Sequence, residues 1–315
     1  LFLPMLSAPI AGVERDLPLD PYTLGALLGD GCFSMDSDVV SAMVLPPGIV
    51  ARERKRSAPG PCRDYQFTSG RHGPRGNGLV DALRALGLHG CLAADKFIPA
   101  QYMTASAPQR LALLQGLIDT DGEVKRSAVG FSSKSFVMAE QVAQLAESLG
   151  GSVTRQPRTK PPAVKRMWCE HVRLSIRMPA GVVPVRCKRR LDPYLAAQAR
   201  RQRPVQRAIR SIEDTGATAE MTCISVDAPD HLYVTRFCVL THNTLIGLIA
   251  PLVCSCTKPM MVVPATLRQK THDDIAQYGE HFKLGPMYVE SYEKLGRVAA
   301  ENLLDEFAPD MIILD

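Results

Sequence analysis

Leu114-Gln115-Gly116-Leu117-Ile118-Asp119-Thr120-Asp121-Gly122 decides how the rest of the chain is read. A looser copy, Thr23-Leu24-Gly25-Ala26-Leu27-Leu28-Gly29-Asp30-Gly31, stands 91 residues earlier. Each is an apolar helical stretch with small residues on one face, closing on Asp-Gly. Gly25 and Gly29 lie four apart and share a helix face, and Gly116 and Thr120 do the same. Small residues at that spacing let two helix backbones approach closely. Asp20-Pro21 reads as a side-chain cap followed by proline at the first helical position. Ser106-Ala107-Pro108-Gln109 reads as a capping box before the second helix. Gly31 and Gly122 suit helix C-termini. Two such helices side by side would bring Asp30 and Asp121 to one place.

The duplication extends further. Lys96 lies 66 residues after Asp30, and Lys188 lies 67 after Asp121. Both lysines follow stretches that could pair as strands. The second nine-residue stretch resembles the LAGLIDADG signature of homing endonucleases at seven of nine positions. The resemblance implies two pseudo-symmetric αββαββ halves in one monomer with an internal pseudo-twofold. It implies Asp30 and Asp121 as ligands of Mg²⁺ that activates water against double-stranded DNA. It places Lys96 and Lys188 near the metals and scissile phosphates. The Lys-x-Ile-Pro pattern around Lys96 is itself family-like.

Charge is distributed unevenly. Residues 151–210 hold 16 Lys and Arg against Glu170 and Asp192, whereas residues 244–315 hold 6 Lys and Arg against 10 acids. The basic block suits a phosphate-tracking surface. The alternation Val172-Arg173-Leu174-Ser175-Ile176-Arg177 reads as a half-buried strand with arginines on its open side. Arg173, Arg177, Arg186, Arg189 and Arg190 are the candidate DNA-binding residues, and arginines laid into a groove can read bases.

Toward the other end, Cys223-Ile224-Ser225-Val226-Asp227 leads through Asp230-His231-Leu232-Tyr233-Val234-Thr235 to Val239-Leu240-Thr241-His242-Asn243-Thr244. The stretch resembles the C-terminal splicing region of an intein, whose all-β (Hint) domain would be present only in its last strands. On that resemblance, the Asn243 side-chain amide attacks its own backbone carbonyl and breaks the 243–244 bond. His242 protonates the leaving amine, and Thr244 supplies the hydroxyl that takes over the N-terminal flanking segment. The nucleophile-bearing N-terminal segment would be a required partner. A chain that begins inside an intein and stops in mid-motif is expected to be a fragment rather than half of a split system.

Thr244 also opens Leu245-Ile246-Gly247-Leu248-Ile249-Ala250, as the residue after Gly-Lys opens the helix of a Walker A loop. Met260-Met261-Val262-Val263-Pro264-Ala265-Thr266-Leu267 and Asp310-Met311-Ile312-Ile313-Leu314-Asp315 resemble motifs Ia and II of superfamily-2 helicases. ATP with Mg²⁺ would then bind through Thr244 and Asp315 once the loop is joined.

The expected class is α+β, divided as a linker (1–17), the endonuclease (18–204, halves about 18–100 and 101–204), the splicing region (205–243) and the start of an α/β P-loop helicase domain (244–315). Helices are expected at 78–88 and 134–149, a closing helix or linker at 189–202, and strands at 125–131, 152–156 and 169–178. Nine cysteines without zinc or disulfide spacing point to a reducing, cytoplasmic setting. The longest apolar run, Leu245 to Cys254, is about ten residues and too short for a bilayer. Two other classes remain: a nucleic-acid-binding protein or maturase that uses the same fold without cleaving, and a helicase ATPase with an insertion that never leaves.

Overall fold

In the computed structural model, Asp20 caps helix α1 (Pro21–Gly29): its Oδ1 accepts from the Thr23 amide at 2.9 Å and from the Thr23 hydroxyl at 3.0 Å. The structure describes residues 2–3, 5–6, 8–29, 34–54, 63–69, 77–158, 171–200, 207–208, 226, 232–241, 243–280, 283–296 and 302–314. These divide into two units, Met5–Arg207 and a second formed by Leu1–Pro4 with Ala208–Asp315.

In the larger unit α1 is followed by strand Ser34–Met35, α2 (Ser37–Ala42), strands Val50–Arg54 and Arg63–Thr68, α3 (Gly78–Ala85) and the single turn α4 (Ala100–Met103). Its second part runs α5 (Ala107–Asp121), strands Gly122–Lys125 and Ala128–Ser133, α6 (Phe136–Ser148), strands Ser152–Arg158 and His171–Arg177, and α7 (Lys188–Ala199). The second part has the expected αββαββ order. Among its described residues the first runs helix, strand, helix, strand, strand, helix.

The first sheet has three antiparallel strands, with Arg63–Thr68 between Ser34–Met35 and Val50–Arg54. The second has four, ordered 122–125, 128–133, 171–177, 152–158, all antiparallel. Arg126 turns the first hairpin at φ 55°. In the second sheet Val129, Phe131, Leu174 and Ile176 are buried, and the alternate positions 132, 154, 156 and 177 are exposed. Period-two alternation of this kind is what one covered face and one open face require.

One core joins α1, α5, α6 and the covered sheet face through Tyr22, Leu24, Leu113, Leu117, Phe131 and Leu174. Ser106 caps α5 in a reciprocal box with Gln109, as expected from the sequence. Residues 8–17, within the expected linker 1–17, lie on the second part of this unit. The Ile10 amide donates to Ser148 O at 2.9 Å, Gln109 Nε2 donates to Arg15 O at 2.6 Å, and Val13 bridges Ala105. Arg110 reaches the Ile10 carbonyl from α5, which fixes the segment by polar contacts invisible to a composition argument.

In the smaller unit Tyr233–Val234 pairs antiparallel with Leu240–Thr241 across a tight turn in which Phe237 and Cys238 take positive φ. Helix α8 (Asn243–Val253) follows. Strand Pro259–Val263 lies between Tyr288–Ser291 and Met311–Leu314, parallel to both. Helix α9 (Arg268–Gly279) occupies the connection between the first two, as a parallel crossover demands. Leu248, Met261, Val263 and Val289 form the core of this unit. Among the described residues no helix is long and apolar enough to cross a membrane.

Candidate active site

Helices α1 and α5 touch backbone to backbone. A Cβ on Gly25 would stand 3.0 Å from the Leu117 amide nitrogen and closer still to Leu113 O; one on Gly116 would stand 2.7 Å from the Ala26 nitrogen. Only glycine fits at either place. Gly29 abuts Thr120, whose Cβ would be 3.0 Å from a Cβ at 29. The C-terminal ends of α1, at Gly29, and α5, at Asp121, therefore stand at the same end of the pair. Asp121 is the last residue of α5 and is exposed. Asp30 follows Gly29 directly and lies outside the described residues. Gly122 is extended (φ −89°, ψ 166°), so a left-handed cap is not the reason for glycine here. A Cβ would press within 2.6 Å of Ile118 Cγ2, and close approach is the reason.

A cation closes the C-terminal end of each helix, where backbone carbonyls lack partners and carry partial negative charge. Lys96 Nζ donates to Leu28 O at 2.6 Å. Arg190 donates to the carbonyls of Ile118 and Asp119, and at 3.3 Å to that of Thr120. Leu28 and Asp119 each stand two residues before the closing Asp. Arg190 thus caps α5 as Lys96 caps α1. Lys188 occupies the first turn of α7 and is exposed.

Asp119 holds these parts together. Its Oδ2 accepts from the Tyr22 hydroxyl at 2.9 Å and from the amides of Arg186 and Cys187 at 2.8 and 2.9 Å. Its Oδ1 is buried without a partner. Burial pushes the carboxyl above its ordinary value, against the pull of the two amides and the hydroxyl. Burial and the neighbouring carboxylate also push the Tyr22 phenol well up. The sequence reading passed over Asp119 in favour of the aspartate two residues on.

The arginines divide between surface and interior. Arg173 and Arg177 stand on the open face of the second sheet, opposite Gln156 and Ser152. Arg186 lies 4.6 Å from the Tyr22 ring centroid and donates to Gln115 Oε1 at 2.5 Å. Arg189 is exposed and pairs with Asp36 at 3.3 Å. Arg190 is committed to the end of α5, so its guanidinium is not presented as a free groove contact. Arg155 binds Glu140 at 2.7 Å and the buried Glu147 at 2.9 Å on α6, and Arg207 also reaches Glu147, at 3.0 Å. Part of the basic surplus therefore serves the interior.

Among the described residues, Asp36, Asp38 and Cys187 bring potential metal-binding atoms within 4.8 Å of one another. Asp36 already caps α2 and pairs with Arg189, which accounts for its place. Of the residues expected to splice or bind nucleotide, Asn243 and Thr244 open α8, two residues beyond the end of the hairpin at Thr241. His242 and Asp315 lie outside the described residues.

Residues 108–177, which hold α5, α6 and the second sheet, match the LAGLIDADG-like domain family. A specific relative lies in another class. The chain is 32% identical over 240 residues to the replicative DNA helicase DnaB of Mycobacterium intracellulare. That match covers 75% of this chain and 37% of the relative, so the chain spans little more than a third of the relative's length. Only 72 residues follow Asn243, so most of the matched stretch lies before it.

Proposed function

We propose that the chain carries an intein-borne homing endonuclease within a helicase-like ATPase, and that it makes metal-dependent double-strand breaks in the intein-free host gene. The close packing of Gly25 on α5 and Gly116 on α1, with Gly29 against Thr120, carries this reading. Gly29, which precedes Asp30 in the sequence, and Asp121 stand at one end of the helix pair. Two carboxylates are hard oxygen donors suited to Mg²⁺, and Asp121 is exposed where a phosphodiester could reach it. Bound metal would supply an activated water and neutralise charge on the phosphate. Lys96 and Arg190 fix the helix ends, and the open sheet faces offer side chains to a groove. A match to a helicase that falls mostly before Asn243 supports an insertion in a helicase gene.

The splicing region would end at Asn243. The hairpin Tyr233–Val234 with Leu240–Thr241 delivers the chain to His242, and α8 begins with the Asn243-Thr244 pair. Cleavage at 243–244 and ligation through Thr244 would join a Gly-Lys end to Thr244 and complete the P-loop. Residues 244–315, with their three-stranded parallel sheet, would be the first part of that ATPase. The division at about 204, 243 and 315, a monomeric endonuclease and a cytoplasmic setting belong to the same proposal. Incubating the full chain with a plasmid bearing the uninterrupted host sequence, with and without Mg²⁺, tests it. Linear product only with metal is expected. Tight binding without cleavage would favour the maturase class.

A further inference from the structure

We infer that Glu123 is a specificity-determining residue that holds Arg173 across the open face of the second sheet, in position to read one G·C pair near the cleavage centre. The inference rests on the endonuclease reading above.

Strand register places the parts. Glu123 stands opposite Gly130, and Gly130 stands opposite Ser175. Arg173 lies two residues from Ser175 on the same strand and therefore on the same face. Leu174 and Ile176 point the other way and are fully buried, so this face is the open one. Glu123 Oε1 accepts from Arg173, and Oε2 pairs with Lys125 Nζ at 3.1 Å. The Arg173 side chain is 22% exposed, against 43% for Glu123 and 63% for Lys125, so its guanidinium is held rather than free in solvent.

Gly130 makes the arrangement possible. A Cβ there would stand 2.8 Å from Glu123 Cγ and Oε1. The carboxylate lies over bare backbone to reach Arg173, and a side chain at 130 would lift it away. The surrounding residues of this face, Ser132, Thr154 and Ser175, are short enough to let a groove close on the sheet.

The chemistry matches one base pair. An arginine fork donates to guanine O6 and N7, and a carboxylate accepts from cytosine N4. Holding the fork in place beforehand reduces the side-chain ordering lost on binding. Glu123 follows Asp121 by two residues, about 7 Å of extended chain. The pair it helps to read therefore lies within a few base steps of the cut.

Binding selection from randomised duplexes, with the full chain, tests this. Wild type should enrich a sequence with G·C at one position of the inner half-site. Glu123→Gln should leave the rest of that sequence and the affinity for it nearly unchanged, and should lower the preference at that position roughly tenfold. Gly130→Ala, which displaces Glu123, should reproduce the loss, and Arg173→Ala should abolish the preference. Equal weakening on all sequences by Glu123→Gln, or an unchanged enriched sequence, would overturn the role. No enriched sequence with wild type would remove the endonuclease reading itself, which keeps the two failures distinct.

Discussion

The Tyr22 hydroxyl and Asp119 Oδ2 are joined across the helix pair at 2.9 Å. The same oxygen receives the amides that lead into α7. One buried carboxylate thus ties α1, α5 and the start of α7. The folded state binds the Asp119 proton more tightly than the unfolded chain does, because burial raises its pKa. Its contribution to stability is complete below the ordinary value of 3.8 and is lost as pH rises through the shifted value. Asp119→Asn cannot titrate. The stability of wild type relative to this variant should therefore fall as pH rises above about 4, followed by thermal melting across the acid range. A difference independent of pH would contradict the raised pKa.

Gly116→Ala should destabilise the larger unit by about 1–3 kcal/mol or more, because the added methyl meets backbone that cannot move aside. Urea midpoints measure it. Ala at Gly181, where a Cβ would meet nothing within 4 Å but φ is +84°, serves as a strain-only comparison and should cost less.

The capping of α5 by Arg190 is testable by stability alone. Arg190→Ala removes three hydrogen bonds at the end of α5, leaving Ile118 O only the Gly122 amide, and should cost about 1.5–3 kcal/mol. Lys188→Ala changes an exposed side chain and should stay within about 0.5 kcal/mol. Equal effects in chemical denaturation would contradict the capping role of Arg190.

The splicing proposal predicts ligation to Thr244 when a nucleophile-bearing N-terminal intein segment is present. Asn243→Ala should then block release at 243–244 and leave a branched or unspliced species. Thr244→Ala should permit only side cleavages, and His242→Ala should slow release. Intact-mass spectrometry separates these products; ligated product from Asn243→Ala at wild-type yield would refute the mechanism.

Much of the helix pair was legible because its signals are local. A cap, a proline, a capping box and glycines four apart each act within one or two turns, and the structure uses them at Asp20, Ser106, Gly25 and Gly116. The alternation at 172–177 likewise reports a sheet with one covered face. What stayed hidden depends on partners distant in sequence. Type and offset single out Lys188 in the sequence, and only the approach of α7 to α5 puts Arg190 at the helix end. Arg155 looks like a groove arginine until Glu140 and Glu147 are found beneath it on α6. Residues 8–17 look like a linker because their anchors are backbone groups met by Gln109, Arg110 and Ser148.

The paired carboxylates are tested most directly by cleavage of a supercoiled plasmid bearing the intein-free host sequence, with the full chain and Mg²⁺. Wild type should give linear product. Asp121→Asn and Asp30→Asn should each lose double-strand cleavage while binding the same duplex to within a few-fold, since a metal ligand is removed and the phosphate contacts remain. Linear product at the wild-type rate from either variant would contradict the assignment of these two residues to one centre.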